Sequence, residues 1–421
     1  MTSSRYDSVA PVKVQHMTSM WHILIIAILT IGMSQSILIT YTGIGTLKNL
    51  DDAGALLLIL LAAWQALKNG CQKALILYGC LVLLCLVNLL RVSILTLGIT
   101  QIKQVLFPAG FIFVGYVLRN SIDWVKLMRG QLVLSMIAAI WAIWEWVIGR
   151  PLIDPLLQYA FTGETPRTRD GFLFAYVYDM ANGAIGIRSG GPFMNPPMTG
   201  FFLGGSVVCA VQLGVSTKRL RYWLIIPLLT FAIYVAYARA GMLILLAVTV
   251  TPIIWKMMGR AVALILSLIG AYIISGVFFQ EGNTANHAQG LQSGLQSIVL
   301  SPWGVGFGST GYQAVLAGTG TDTTGSESLF GLWLNWLGLP IAILLAVAML
   351  SLLFLLVRTK SPNIFYLAAL ATLIAGGLSE TASATSASMI LWIMCGYSLA
   401  DCWQKKQSYG SDVISNKLLP K

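Results

Sequence analysis

Apolar runs dominate the chain, and polar segments punctuate them. Stretches near 21–41, 53–67, 74–98, 102–118, 130–149, 197–216, 222–238, 240–255, 261–279, 328–357, 363–378 and 387–403 carry few charges. Crossing the hydrocarbon of a bilayer takes about 20 predominantly apolar residues in a helix. An unbroken helix is one of the few structures that satisfies its own backbone there. The pattern therefore predicts an all-α polytopic membrane protein with about 12 transmembrane helices. Some runs have only 15 to 17 residues, so their ends must draw on flanking polar residues. The first run is too long for a signal peptide and lacks a small-residue cleavage site. No repeat or linker divides the chain, which predicts one membrane domain over 21–403 between short polar tails, 1–20 and 404–421.

Two long polar interruptions, about 150–196 and 280–327, break this pattern. Chemistry on a water-soluble group belongs in such segments or at their mouths. The first contains several prolines and the aromatics Phe161, Phe172, Phe174, Tyr176 and Tyr178. It is suited to cover a cavity and offer ring faces to sugars, or to lie as an amphipathic segment on the membrane surface. In the second, Leu291, Leu295, Ile298 and Val299 recur at helical spacing, which predicts a short amphipathic helix from near His287 to Pro302. The GVGFG sequence after it lacks a preceding strand and a P-loop lysine, so it reads as a backbone turn and not as a nucleotide loop.

Composition agrees with a membrane chain: 57% of the 421 residues are hydrophobic and 10% charged. Soluble domains carry about a quarter of their residues as charges. The net charge of +11 first reports orientation, because Lys and Arg accumulate on the cytoplasmic side. Alternating the connections gathers Lys68, Lys73, Arg119, Lys126, Arg129, Lys218, Arg219, Lys256, Arg260, Arg358 and Lys405, among others, on one face. That face is expected to be cytoplasmic with both termini, leaving both interruptions as outward loops. The basic excess then needs no nucleic-acid partner. All six cysteines fall in apolar runs or at their inner ends, so no disulfide is expected to organise the loops.

Arg188, in RSGGPFMNPPMTG, and Arg239, in YARAG, both approach the outer boundary. The guanidinium fork offers two parallel bonds to phosphate oxygens, so a pair of arginines suits a pyrophosphate on a membrane lipid. The plainer readings are a loop charge for Arg188 and, for Arg239, a turn residue reaching lipid phosphates or pairing with Glu145. Arg91 lies inside the third apolar run, where its side chain can reach the interface. Glu145 reads as the acid that neutralises Arg91 or Arg239. Asn195 precedes Pro196 and Pro197, where irregular backbone gives way to a helix whose free N-terminus can help receive an anion. His287 can take a proton from a hydroxyl or, as a cation, bind phosphate; otherwise it is a solvated loop residue. Glu327 can act as base or accept a sugar hydroxyl, or simply favour a helix N-terminus. One outward histidine and no metal-binding spacing predict metal-independent chemistry without a cofactor.

Four blocks in order resemble the O-antigen ligase and polymerase superfamily, the Wzy and WaaL type of membrane glycosyltransferases. They are RSGGPFMNPPMTGFFLG, YARAGMLILLAV, HAQGLQSGLQSIVLSPWGVGFG and ESLFGLWLNWLGLPIAILL, mainly within residues 188–345. The chain departs from the pattern by having Ala238 where serine is frequent and His287 where many polymerase-like members have arginine. Gly200 also falls twelve positions after Arg188, one more than the polymerase RX10G spacing. The resemblance implies a GT-C-like helical fold in a bacterial inner membrane and a donor glycan linked to undecaprenyl pyrophosphate. It further implies an inverting transfer, with Arg188 and Arg239 on the pyrophosphate and His287 or Glu327 at the acceptor; Arg91, Glu145 and Asn195 are supporting candidates. A flippase and a chain-length regulator would be its partners. A polymerase joining repeat units of a surface or exported polysaccharide is the leading expectation, a ligase the nearest alternative. A transporter of lipid-linked sugars is the rival outside enzymes, but paired broken helices in both halves are not evident.

Overall fold

A computed structural model of the chain describes residues 12–92, 94–162, 168–169, 171–173, 176–179, 185–277, 283–311, 314, 318, 328–359 and 361–415. The first five helices are α1 (Val12–Thr42), α2 (Leu50–Lys68), α3 (Gln72–Leu89), α4 (Leu95–Val117) and α5 (Trp124–Ile148). The first interruption holds a short helix, α6 (Leu157–Thr162), and two small antiparallel hairpins. These are β1 (Thr168–Arg169) with β2 (Phe172–Leu173), and β3 (Val177–Asp179) with β4 (Ile185–Ile187). Then follow α7 (Pro196–Thr217), α8 (Leu220–Val235), α9 (Arg239–Met258), α10 (Arg260–Val277) and α11 (Asn283–Leu300). The chain closes with α12 (Leu329–Leu337), α13 (Leu339–Arg358), α14 (Ile364–Leu378) and α15 (Thr385–Ser415).

Every predicted apolar run contains a helix, and eight helices among the described residues are long and apolar enough to cross a membrane. The protein is an all-α polytopic membrane protein. α7 forms its centre, buried on every side from Phe201 to Ala210, as expected of a helix apolar around its whole circumference. α13 lies at the periphery, exposing Leu339, Ile343, Val347, Leu350, Phe354 and Val357 at intervals of one helical turn. Helices come together where side chains are smallest. A Cβ on Gly115 of α4 would collide with the Ile393 carbonyl oxygen of α15, and one on Gly396 of α15 with the Ile112 carbonyl of α4. Small residues of this kind let backbones approach where lipid provides no hydrophobic drive to associate.

Two runs that read as single spans are broken. Residues 74–98 divide at the end of α3, where the buried Asn88 amide donates to the Leu84 carbonyl at 3.0 Å and residues 90–92 turn by bonds reaching back three residues. Arg91 therefore sits in an exposed turn and not inside a span. Residues 328–357 divide at Gly338, whose φ of 62° suits glycine. There the Leu339 N–H donates to the Pro302 carbonyl at 2.7 Å, a contact that no sequence pattern announces. α12 is buried along its whole length.

Candidate functional site

Successive helices bring the ends of α1, α3, α5, α8 and α14 to the same side as the starts of α2, α4, α7, α9, α12 and α15; both interruptions belong to this loop face. Its organising group is Glu145, buried near the end of α5. One carboxylate oxygen accepts from the Trp141 indole at 3.0 Å and the Leu152 N–H at 3.1 Å. The other accepts from the Gly190 and Gly191 N–H groups, both at 2.9 Å. The expectation that Glu145 neutralises Arg91 is replaced by other partners for both residues. The two carboxylate oxygens of Glu145 accept from four N–H groups, two of them the adjacent amides of Gly190 and Gly191. Arg91 instead donates to the Gly304 carbonyl at 3.1 Å and to Asn88 at 3.3 Å.

Glu145 fixes the segment that carries Arg188. The Arg188 N–H donates to the Tyr176 carbonyl at 2.9 Å, and the Ser189 N–H to the Val235 carbonyl at 3.1 Å. Val235 ends α8, and after a short turn Arg239 opens α9, so the backbones that carry the two arginines converge. Tyr237 in that turn has a φ of 50°. Beyond Arg188, Gly191–Phe193 forms a single 3-10 turn, and Thr199 donates to the Gly190 carbonyl. Asn195 caps α7, accepting from the Met198 N–H at 3.1 Å, and Pro196 occupies the first helical position, where its missing N–H costs nothing. Asn195 is thus a structural cap. The Tyr176 ring lies against Gly190, leaving no room there for a Cβ. Burial pushes its phenol well above the ordinary value, and the nearby Glu145 adds to the shift.

The glycine turn after α11 is a backbone device, as its spacing predicts. Gly304, Gly306 and Gly308 have φ values of 75°, 88° and 81°. Val305 and Gly306 donate to the Asn335 and Trp336 carbonyls of α12. Gln101 of α4 clamps the far side, donating to the Thr310 carbonyl at 2.9 Å and accepting from the Gly308 N–H. Arg91 closes the near side through Gly304. His287 lies on α11, but its side chain falls outside the described residues, as does all of Glu327. The neighbouring Ser328 caps α12, accepting from Gly331 at 3.0 Å and donating to the Gly377 carbonyl at 2.6 Å.

A second polar cluster on the loop face escaped the sequence reading. Asp52 pairs with Lys103 at 2.5 Å and accepts from the Thr385 hydroxyl at 2.6 Å. The Gln104 amide donates to Glu380 at 2.8 Å, and the Trp333 indole to the Gln104 carbonyl at 3.1 Å. Asp51 beside it is buried at the start of α2. The available signal was the run of polar residues Gln101, Lys103 and Gln104 in an otherwise apolar helix. Their partners lie some 50 to 280 positions away in the chain and leave no local pattern.

Compared with protein-family models, curated proteins and solved structures, the chain matches none.

Proposed function

We propose that the chain is a membrane glycosyltransferase that joins lipid-pyrophosphate-linked oligosaccharide units into a surface or exported polysaccharide. In this reading the chain crosses a bacterial inner membrane about twelve times in a GT-C-like arrangement, both termini are cytoplasmic, and the loop face looks outward. The four sequence blocks resembling O-antigen polymerases and ligases suggest the chemistry. The observation that carries it is the Arg188 segment, held by Glu145 and bonded to the end of α8 four residues before Arg239. Rigid backbone under two arginines is what an anionic leaving group requires, since preorganised charge lowers the barrier without reorganising.

The proposed step is a single displacement. An acceptor hydroxyl oxygen forms a bond to the donor's anomeric carbon as the carbon–oxygen bond to pyrophosphate breaks, with inversion. The hydroxyl proton passes to His287 or Glu327, and the electron pair leaves on the lipid pyrophosphate. Arg188 and Arg239 take up the charge on the departing phosphate.

Reconstitution with purified undecaprenyl-pyrophosphate-linked repeat units, followed by separation of products by size, tests the proposal. Longer lipid-linked chains are expected. Transfer only to added lipid A core would replace polymerase by ligase, and lipid movement without a new glycosidic bond would reject both. In the same assay Arg188→Ala and Arg239→Ala are each expected to lower turnover at least about 100-fold, the usual scale for losing a group that stabilises transition-state charge. Membrane levels should match wild type, and full turnover in either variant would remove that arginine from the site.

A further inference from the structure

The helix in the second interruption has two unlike sides. Its inner side is built for contact: Gly290 and Gly294 press on the backbone at Gly331 of α12, while Leu291 and Ile298 pack on the core. Its other side carries the exposed but uncharged Gln292 and Gln296 together with uncovered apolar residues. Leu295 is 54% exposed, Val299 82% and Leu300 84%, and Trp303 just beyond the helix is 73% exposed. No Asp, Glu, Lys or Arg occurs from Asn283 to Thr321. A solvated helix normally carries charges on its outer face, and an apolar patch left bare marks a surface that something covers.

What covers it follows from its neighbours. Pro302 is bonded to Leu339, and Leu339 begins the exposed stripe that α13 continues through Ile343, Val347, Leu350, Phe354 and Val357. Because α13 is among the helices long and apolar enough to cross a membrane, its exposed stripe faces acyl chains. The Pro302–Leu339 bond sets the Leu300–Trp303 end of the α11 patch beside the start of that stripe. Leu90, 86% exposed in the α3–α4 turn, and Arg91, bonded to Gly304, lie at the same level. An apolar ridge with a tryptophan at its edge and an arginine beside it is the composition of a polar–apolar boundary, where indole rings concentrate and long cationic side chains reach phosphates.

We infer that α11 and the Trp303 turn lie in the bilayer interface, docked on lipid by Leu295, Val299, Leu300 and Trp303, and do not stand in water as a loop. The partner is the bilayer itself, with its phosphates at the level of Arg91. Such docking keeps the buried glycines of the helix against α12, whatever chemistry the loop face performs.

Site-directed spin labelling in proteoliposomes tests this. Val299→Cys and Trp303→Cys are made separately in a background with Cys71, Cys80 and Cys402 replaced by serine, since Cys85, Cys209 and Cys395 are buried and buried thiols react poorly. Ile343→Cys on the α13 stripe is the lipid reference, and Arg219→Cys in the exposed α7–α8 turn the water reference. Collision with oxygen should exceed collision with a neutral nickel chelate at both test positions, as at Ile343→Cys. A ratio matching Arg219→Cys would put the ridge in water and overturn the inference. Low collision with both reagents would mean that protein, a partner or a second copy, covers the ridge, and would overturn it equally.

Discussion

Glu145→Ala is expected to lower the melting temperature of the detergent-solubilised protein by several degrees and to open residues 185–195 to protease. The carboxylate is the common acceptor for the end of α5, the start of the first interruption and the Gly190–Gly191 amides. The last two donors are buried, and both lose the acceptor they have when Glu145 is removed. Leaving a buried donor unmet costs about 1–3 kcal/mol, so two predict a loss of about 2–6 kcal/mol, reduced to the extent that water enters. Glu145→Gln should fall between wild type and alanine, since its amide nitrogen must face one pair of N–H groups. Thermal unfolding and limited proteolysis, read together, decide the matter. An alanine variant that melts like wild type and resists cleavage would show that these bonds add no net stability.

The α4–α15 crossing should be still less tolerant. Gly396→Val places a branched side chain against the Ile112 carbonyl, and Gly115→Val does the same against Ile393. In both cases the obstacle is backbone, which cannot swing aside as a side chain can. Overpacking a core costs about 1–3 kcal/mol, occasionally more, and a carbonyl obstacle puts these variants at about 3 kcal/mol or above. Gly79→Val in α3 is the control, because nothing lies within 4 Å of its Cβ position. Size-exclusion profiles and melting curves should show aggregation or early unfolding for the first two and near-normal behaviour for the third. A monodisperse, stable Gly396→Val would mean that the two helices separate at little cost.

The contrast between these glycines shows where sequence reading stops. Gly79, Gly115 and Gly396 all interrupt apolar helices, and nothing in their immediate neighbours distinguishes them. Packing alone sets two of them against a neighbouring backbone carbonyl. Glu145 is similar: an acid in an apolar run is conspicuous, and the ordinary expectation is an arginine partner. The structure instead gives it four N–H groups, two of them from glycines 45 and 46 positions away. Arg91 reads from its neighbours as lying inside an apolar run, with its side chain reaching the interface. In the structure it lies in a turn, donating to the Asn88 side-chain oxygen and to the distant Gly304 carbonyl.

Local features were legible because their causes are local. Apolar runs long enough to span a bilayer announced the helices, Asn195–Pro196 announced the start of α7, the glycine alternation announced a turn, and spacing of three and four announced α11. By itself, then, the amino-acid order determined a helical membrane protein with two polar interruptions and the residue types available for chemistry there. Tertiary structure alone decided which chain segments those residues serve: Glu145 under the Arg188 segment, Gln101 and Arg91 on the glycine turn, and Asp52 with Lys103 and Thr385. The physical reason is range. Helix formation and capping involve neighbours within about four positions, whereas buried polar groups take whatever partner the packed bundle brings within hydrogen-bonding distance.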